Sequence, residues 1–216
     1  MNTVLQNQLT IMLQLQNEIN SKVNPDWRKA NQNWQRAIWI ESAEMLEHFG
    51  WKWWKKQNPD MAQVHLELID IWHFGLSMLV EQFDGDYDAS ASMVDLERRK
   101  LKANNITSDS SAFAELVERF VVSTLTTDDF QVYSFLQLMT CVDLSIDQLY
   151  VMYVGKNVLN TFRQDNGYKD GSYVKIWNGL EDNEVLVNVM NVLDPNDLTF
   201  PQLVRQGLQA KYSQIV

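Results

Sequence analysis

Residues that bridge or break a chain are scarce here: one cysteine, four prolines and eight glycines among 216 residues. A single cysteine excludes an intrachain disulfide. Cys141, within "LQLMTCVDL", reads as a core thiol of a protein in a reducing compartment. So few glycines and prolines argue against a strand-and-turn protein. A basic surplus is missing too: 18 Lys and Arg face 28 Asp and Glu, for a net charge of −10 and a pI near 4.7. That argues against a dedicated binder of nucleic acid or of anionic membranes. It leaves room for a phosphate-bearing substrate, because bound divalent cations invert the local field. No apolar run approaches membrane-spanning length. The opening "MNTVLQNQLT" has neither the basic nor the apolar region of a secretory leader. A cytoplasmic protein with no nucleic-acid or membrane partner is therefore expected. There is no internal repeat and no low-complexity tract.

What is present is helical periodicity. Val4, Leu5, Leu9, Met12, Leu13, Gln16 and Ile19 fall near one face of a first helix, which "NPDW" at Asn24–Trp27 ends. A second helix is predicted from about Trp34 to Lys56. A third follows "NPD" at Asn58–Asp60 and runs from Met61 to Gln82. Helices joined by so short a connection should pack antiparallel. "DGDYDASAS" from Asp84 and "ANNITSDSSA" from Ala103 read as polar breaks around a short basic helix near Leu96–Leu101. More helices are predicted near Ala112–Ser123, Asp128–Leu138, Ile146–Phe162, Glu184–Leu193 and Pro201–Ser213, with "TTDD" at Thr126–Asp129 as a helix cap. Arg163–Asn183, rich in Gly, Asn, Asp, Lys and Tyr, reads as a long ordered loop. The fold class is all-α: a helical bundle with antiparallel central helices.

Chemistry concentrates in the acids. Glu41 and Glu44 are three residues apart and share a helix face; so do Glu67 and Asp70 on the next helix. Antiparallel packing lets both pairs point into one gap, where four carboxylates repel unless a cation neutralises them. Hard oxygen ligands with open positions suit Mg²⁺ shared with substrate phosphates. The bland alternative is a polar stripe of Gln63, Glu67, Asp70, Ser77 and Glu81 facing water. Phe74 interrupts that stripe, and Leu66, Leu68, Ile69, Ile71 and Trp72 make the helix apolar around most of its circumference, so these acids read as buried. His48 and His73 lie one turn beyond Glu44 and Asp70. With no cysteine near, zinc suits the site poorly. His73 reads as a hydrogen-bonding group facing a ligand, and His48 as a surface or supporting residue.

Glu41-x-x-Glu44 followed by Glu67-x-x-Asp70 resembles the all-α nucleoside triphosphate pyrophosphohydrolases, the MazG-like superfamily. The longer segments "ESAEMLEHFGWKWWKK", "ELIDIWHFGLS" and "GKNVLNTFRQDNGYKDGSYVKIWNGLEDN" resemble the dimeric all-α dUTPases of some bacteria, phages and kinetoplastids. The likeness covers most of residues 5–82 and 150–190, while 84–145 carries little of it. It implies a single all-α dUTPase domain over residues 1–216. It implies hydrolysis of dUTP, and of dUDP, to dUMP, which keeps uracil out of DNA. Glu41, Glu44, Glu67 and Asp70 would hold Mg²⁺, more than one ion per site, with Mn²⁺ able to substitute. Water would attack the β-phosphorus, with Glu41, or else Glu44, as general base. Gln16, Asn20 and the Asn178 of "WNG" would read uracil, with Trp53 walling the base; Trp51 and Trp54 are expected in the core or an interface. Asp70, His73, Phe74 and Asn183 would form the sugar pocket. Lys156, Arg163, Tyr168, Lys169 and Lys175 would bind phosphates. A homodimer is implied, and a repressor partner if the source is a phage.

Two rival readings remain at this point. One is a related dNTP pyrophosphohydrolase of another base preference, which would keep the four acids and differ in the amides and the C-terminal motif. The other is a helical partner-binding protein without catalysis, which the intact acids oppose.

Overall fold

The structure, a computed structural model, describes residues 3–104 and 112–215. Nine α-helices, one 3-10 turn and one two-strand hairpin occupy those residues, so the all-α expectation holds. The "ANNITSDSSA" break lies mostly on 105–111, outside the described residues. The chain divides into two compact units, residues 1–149 and 150–216.

The first unit is built on three long helices: α1 (Thr3–Val23), α2 (Trp34–Phe49) and α3 (Met61–Gln82). Their ends follow local chemistry. The Asn33 side chain accepts from the Arg36 amide and the Asp60 side chain from the Gln63 amide, satisfying donors that a helix start leaves open. α3 is buried on nearly every side, with Val64, Leu68, Ile69, Ile71, Trp72 and Leu76 all fully covered. α2 packs along it antiparallel: Trp34 at the start of α2 reaches Glu81 at the end of α3, and His48 at the end of α2 reaches Glu67. α1 runs parallel to α3, with Met12 against Trp72 and Asn20 against Ser77. The remaining helices of this unit are α4 (Tyr87–Ala103), α5 (Phe113–Thr127) and α6 (Val132–Cys141). They close an aromatic core in which Trp72 stacks on Phe135 at 5.2 Å and Phe130 fits between Trp72 and Phe120. Cys141 is buried, as expected of a core thiol.

Gly75 of α3 is where Phe130 comes closest. A Cβ there would overlap the ring, 2.6 Å from Cε1 and Cε2. The ring is hemmed in by other aromatics and cannot retreat. Gly75→Ala is therefore expected to lower stability by about 1–3 kcal/mol, although alanine is the better helix former by about 1 kcal/mol. Thermal denaturation checks the sign: a raised melting temperature would show that the core yields at this point.

The second unit contains most of α7 (Ile146–Asp165), the hairpin strands β1 (Ile176–Trp177) and β2 (Leu180–Glu181), α8 (Asp182–Met190) and α9 (Phe200–Tyr212). Phe162, Tyr173, Trp177 and Tyr212 form its aromatic centre, with Trp177 5.1 Å from Tyr212 and 5.7 Å from Phe162.

Several local expectations are corrected. α2 stops at Phe49 and not at Lys56, because Gly50 takes a left-handed conformation (φ 90°) as its C-cap; Trp51–Lys56 lie in the connection. The short basic helix is the end of a 17-residue one. Asp84 and Gly85 make the turn, Asp86 caps, and "DASAS" is already helical, with Ser90 buried and bonded to the Leu79 carbonyl. "TTDD" does not open a helix: Asp128, at φ 60°, closes α5. The Arg163–Asn183 loop begins inside α7 and contains the hairpin, turned at Asn178 and Gly179 with φ 50° and 89°. Asn-Gly between extended residues is the sequence signal for such a turn. Among the described residues no helix is long and apolar enough to cross a membrane.

Candidate active site

Antiparallel register brings Glu41 of α2 opposite Glu67 and Asp70 of α3. One carboxylate oxygen from each lies within 4.8 Å of the other two. Glu67 is buried and the other two are half-buried, so the water-facing stripe is not what forms. Glu41 carries the consequence. Burial first, then the Asp70 charge, a hydrogen bond with Glu67 and the charges of Glu67 and Glu44 push its pKa from 4.5 up to about 7. Glu44, one turn on, is exposed and stands outside the group of three, close enough to act on Glu41 through its charge. His48 sits 3.5 Å from Glu67, a supporting position. Three desolvated acids that repel one another are a donor set suited to a divalent cation, so the residues fit one.

One turn further along α3 the polar groups form a closed network. His73 Nδ1 donates to Gln16 Oε1 at 2.8 Å. Gln16 Nε2 donates to Asn20 Oδ1 and to Ser77 Oγ, both at 3.0 Å. Asn20 Nδ2 donates to Ser77 Oγ at 2.9 Å, and Ser77 donates to the His73 carbonyl at 3.0 Å. Ser77 thus uses both lone pairs and its proton. Asn20 spends one amide hydrogen and one lone pair in this network. Ser77 is the hub that ties α1 to α3. Its position four residues after His73 was the signal available for it. Phe74 lies 6.2 Å from the ring of Trp34, which the sequence reading did not select.

Trp53 is 89% exposed, and Trp51 and Trp54 are exposed beside it, so neither of those two is in the core. The three rings meet edge to face, and Lys52 pairs with Glu47.

In the second unit Arg163 makes a two-pronged bond to Asp182, 2.7 Å at each contact, and reaches Asn183 Oδ1 at 3.2 Å. Tyr173 donates to the same carboxylate at 2.8 Å. Lys175 pairs with Glu181 at 3.4 Å. Of the residues expected to bind phosphates, Arg163 and Lys175 already pair with carboxylates. Tyr168 and Lys169 are exposed, Lys156 is half-buried on α7, and Asn178 is exposed at the hairpin turn.

An all-α chain with three carboxylates gathered between antiparallel helices, beside a set of fixed amides, defines a class: a helical protein suited to holding a divalent cation. A family model described as dUTPase matches residues 8–168, and the chain belongs to that family: it is a dUTP diphosphatase, an enzyme of nucleotide metabolism that acts on dUTP. The match runs through 84–145, where the motif likeness is thin, and ends before Lys169, Lys175, Asn178 and Asn183. No curated protein matches the chain.

Proposed function

We propose that the chain hydrolyses dUTP to dUMP and pyrophosphate, and dUDP to dUMP and phosphate, with Mg²⁺ held by Glu41, Glu67 and Asp70 and with Glu44 reaching in from solvent. The observation that carries this reading is the convergence of the three acids in a partly buried gap, where burial and their mutual charge raise the pKa of Glu41. Oxygen donors alone suit Mg²⁺, and Mn²⁺ shares that preference. When bound, the cation clamps the phosphate chain and acidifies water. Glu41 is the residue to take the water's proton, through a carboxylate oxygen that the cation leaves free. Asn20 offers its side-chain amide to the uracil edge, backed by Gln16 and His73. Phe74 packs where a 2′-hydroxyl would sit and leaves that hydroxyl without a partner.

A panel of dUTP, dUDP, dTTP, dCTP and UTP, with and without Mg²⁺, tests this. Turnover is expected for dUTP and dUDP in Mg²⁺ and for none of the five in excess chelator. In H₂¹⁸O, attack at the β-phosphorus places the label in pyrophosphate and not in dUMP. Preference for dCTP would favour the rival base reading, and no turnover of any nucleotide the non-catalytic one.

We also propose a homodimer. α2 and α5 pack together, and both leave large apolar side chains to solvent: Trp39 and Ile40 on one, Val122 and Leu125 on the other. Light scattering at micromolar concentration should give twice the monomer mass. The paired change Trp39→Glu with Val122→Glu should return it to one.

A further inference from the structure

α3 presents one stripe to α2: Glu67, Asp70, Phe74 and Glu81. α2 answers in antiparallel order, with Glu41 opposite the acids and Trp34 near the far end. That far end holds a contact the chemistry above does not use. Trp34 Nε1 donates to Glu81 Oε2 at 3.0 Å. The indole lies 6.2 Å from the Phe74 ring at 30° and 6.0 Å from Trp27 at 79°. It is therefore held by its N–H, its face and its edge.

Glu81 occupies a costly position. Its second oxygen, Oε1, is buried with no hydrogen-bond partner among the described residues. Burial pushes its carboxyl up in pKa, only partly offset by the Trp34 N–H. A buried, half-satisfied carboxylate costs stability, yet here it holds one particular ring. Beside that ring is a cavity of about 450 Å³, lined by Asn33, Trp34, Gln35, Met78, Glu81 and Gln82 among others. An indole released from Glu81 has room to swing into it. Phe74 would then lose the surface behind it.

We propose that Glu81 is a positioning residue: by fixing Trp34 as the backstop of Phe74, it sets the discrimination of this enzyme against ribonucleotides. This rests on reading Phe74 as the wall of the sugar pocket.

The test is the ratio of kcat/KM for dUTP over UTP in five proteins: wild type, Glu81→Ala, Glu81→Gln, Trp34→Phe and Phe74→Ala. Glu81→Ala and Trp34→Phe should each lower the ratio by about tenfold or more, chiefly by raising UTP turnover. Glu81→Gln keeps an oxygen for the indole N–H and should stay within about threefold of wild type. A merely structural role would lower the melting temperature and leave the ratio alone. Trp34→Phe retains a ring and leaves Glu81 in place, so it decides the matter even if Glu81→Ala fails to fold. A ratio unchanged in Trp34→Phe, while Phe74→Ala lowers it, overturns the role of Glu81. A ratio unchanged in Phe74→Ala overturns the sugar-wall reading itself, and the inference with it.

Discussion

Glu67→Ala and Asp70→Ala are each expected to lower dUTP turnover roughly a thousandfold, a loss of about 4 kcal/mol of transition-state stabilisation, while each metal-free variant should melt at a higher temperature than metal-free wild type. The opposite signs follow from one arrangement. Without a cation, three carboxylates, each with an oxygen within 4.8 Å of the others, repel in a partly desolvated gap, and burial together with that repulsion raises the pKa of Glu41 to about 7. Removing one acid relieves the other two and at the same time removes a ligand. Glu41→Gln should show the stability half most clearly. A carboxyl raised from 4.5 to about 7 leaves the folded state unpenalised below pH 4.5; stability then falls as pH rises to about 7 and is flat beyond. At pH 8 the gain from Glu41→Gln is on the order of 1–2 kcal/mol once the partial exposure of the group is allowed for. Because a ligand must give up its proton, Mg²⁺ affinity should also rise with pH up to about 7 and then level off, as isothermal titration would report. Variants that lose activity and melting temperature together would show that the acids hold the fold and not a cation.

How much of this was legible in the sequence depends on the range of the interaction. The faces of α1 and α3 follow from apolar spacing, and the Glu41, Glu67 and Asp70 grouping from i, i+3 pairs on helices that had to pack antiparallel. Those are local patterns plus one packing rule. The end of α2 was written in Gly50, but the aromatic run behind it, with its high apolar content, outweighed a single glycine. Ser77 and Trp34 were hidden for a different reason. Serine in a helix and tryptophan at a helix start are unremarkable until a partner forty or more residues away is known. The pairing of Arg163 was hidden in the same way, since a basic residue in a loop-like segment looks solvated until its acid is found.

That pairing gives the second large effect. Asp182→Ala should destabilise the second unit by about 3–5 kcal/mol. Asp182 is wholly buried, and its carboxyl carries two bonds from Arg163 and one from Tyr173. Burial draws its pKa upward, but those hydrogen bonds outweigh burial and leave it below the usual 3.8. A depressed carboxyl contributes its stability above pH 3.8, and the contribution is lost as pH falls through the lower folded value, so the effect is fully present at neutral pH. Arg163→Ala should cost nearly as much, because it strands the buried charge rather than exposing it to water. Replacing both at once, Arg163→Met with Asp182→Leu, removes the stranded charge and should recover most of the loss. Hydrogen exchange of the α8 amides separates this unit from the other: protection should fall in each single variant and return in the double. The same pair decides how activity data on Arg163 are to be read. If the double variant restores protection but not turnover, the guanidinium has a use beyond Asp182, as a phosphate ligand would. If turnover returns with protection, Arg163 acts through the fold alone.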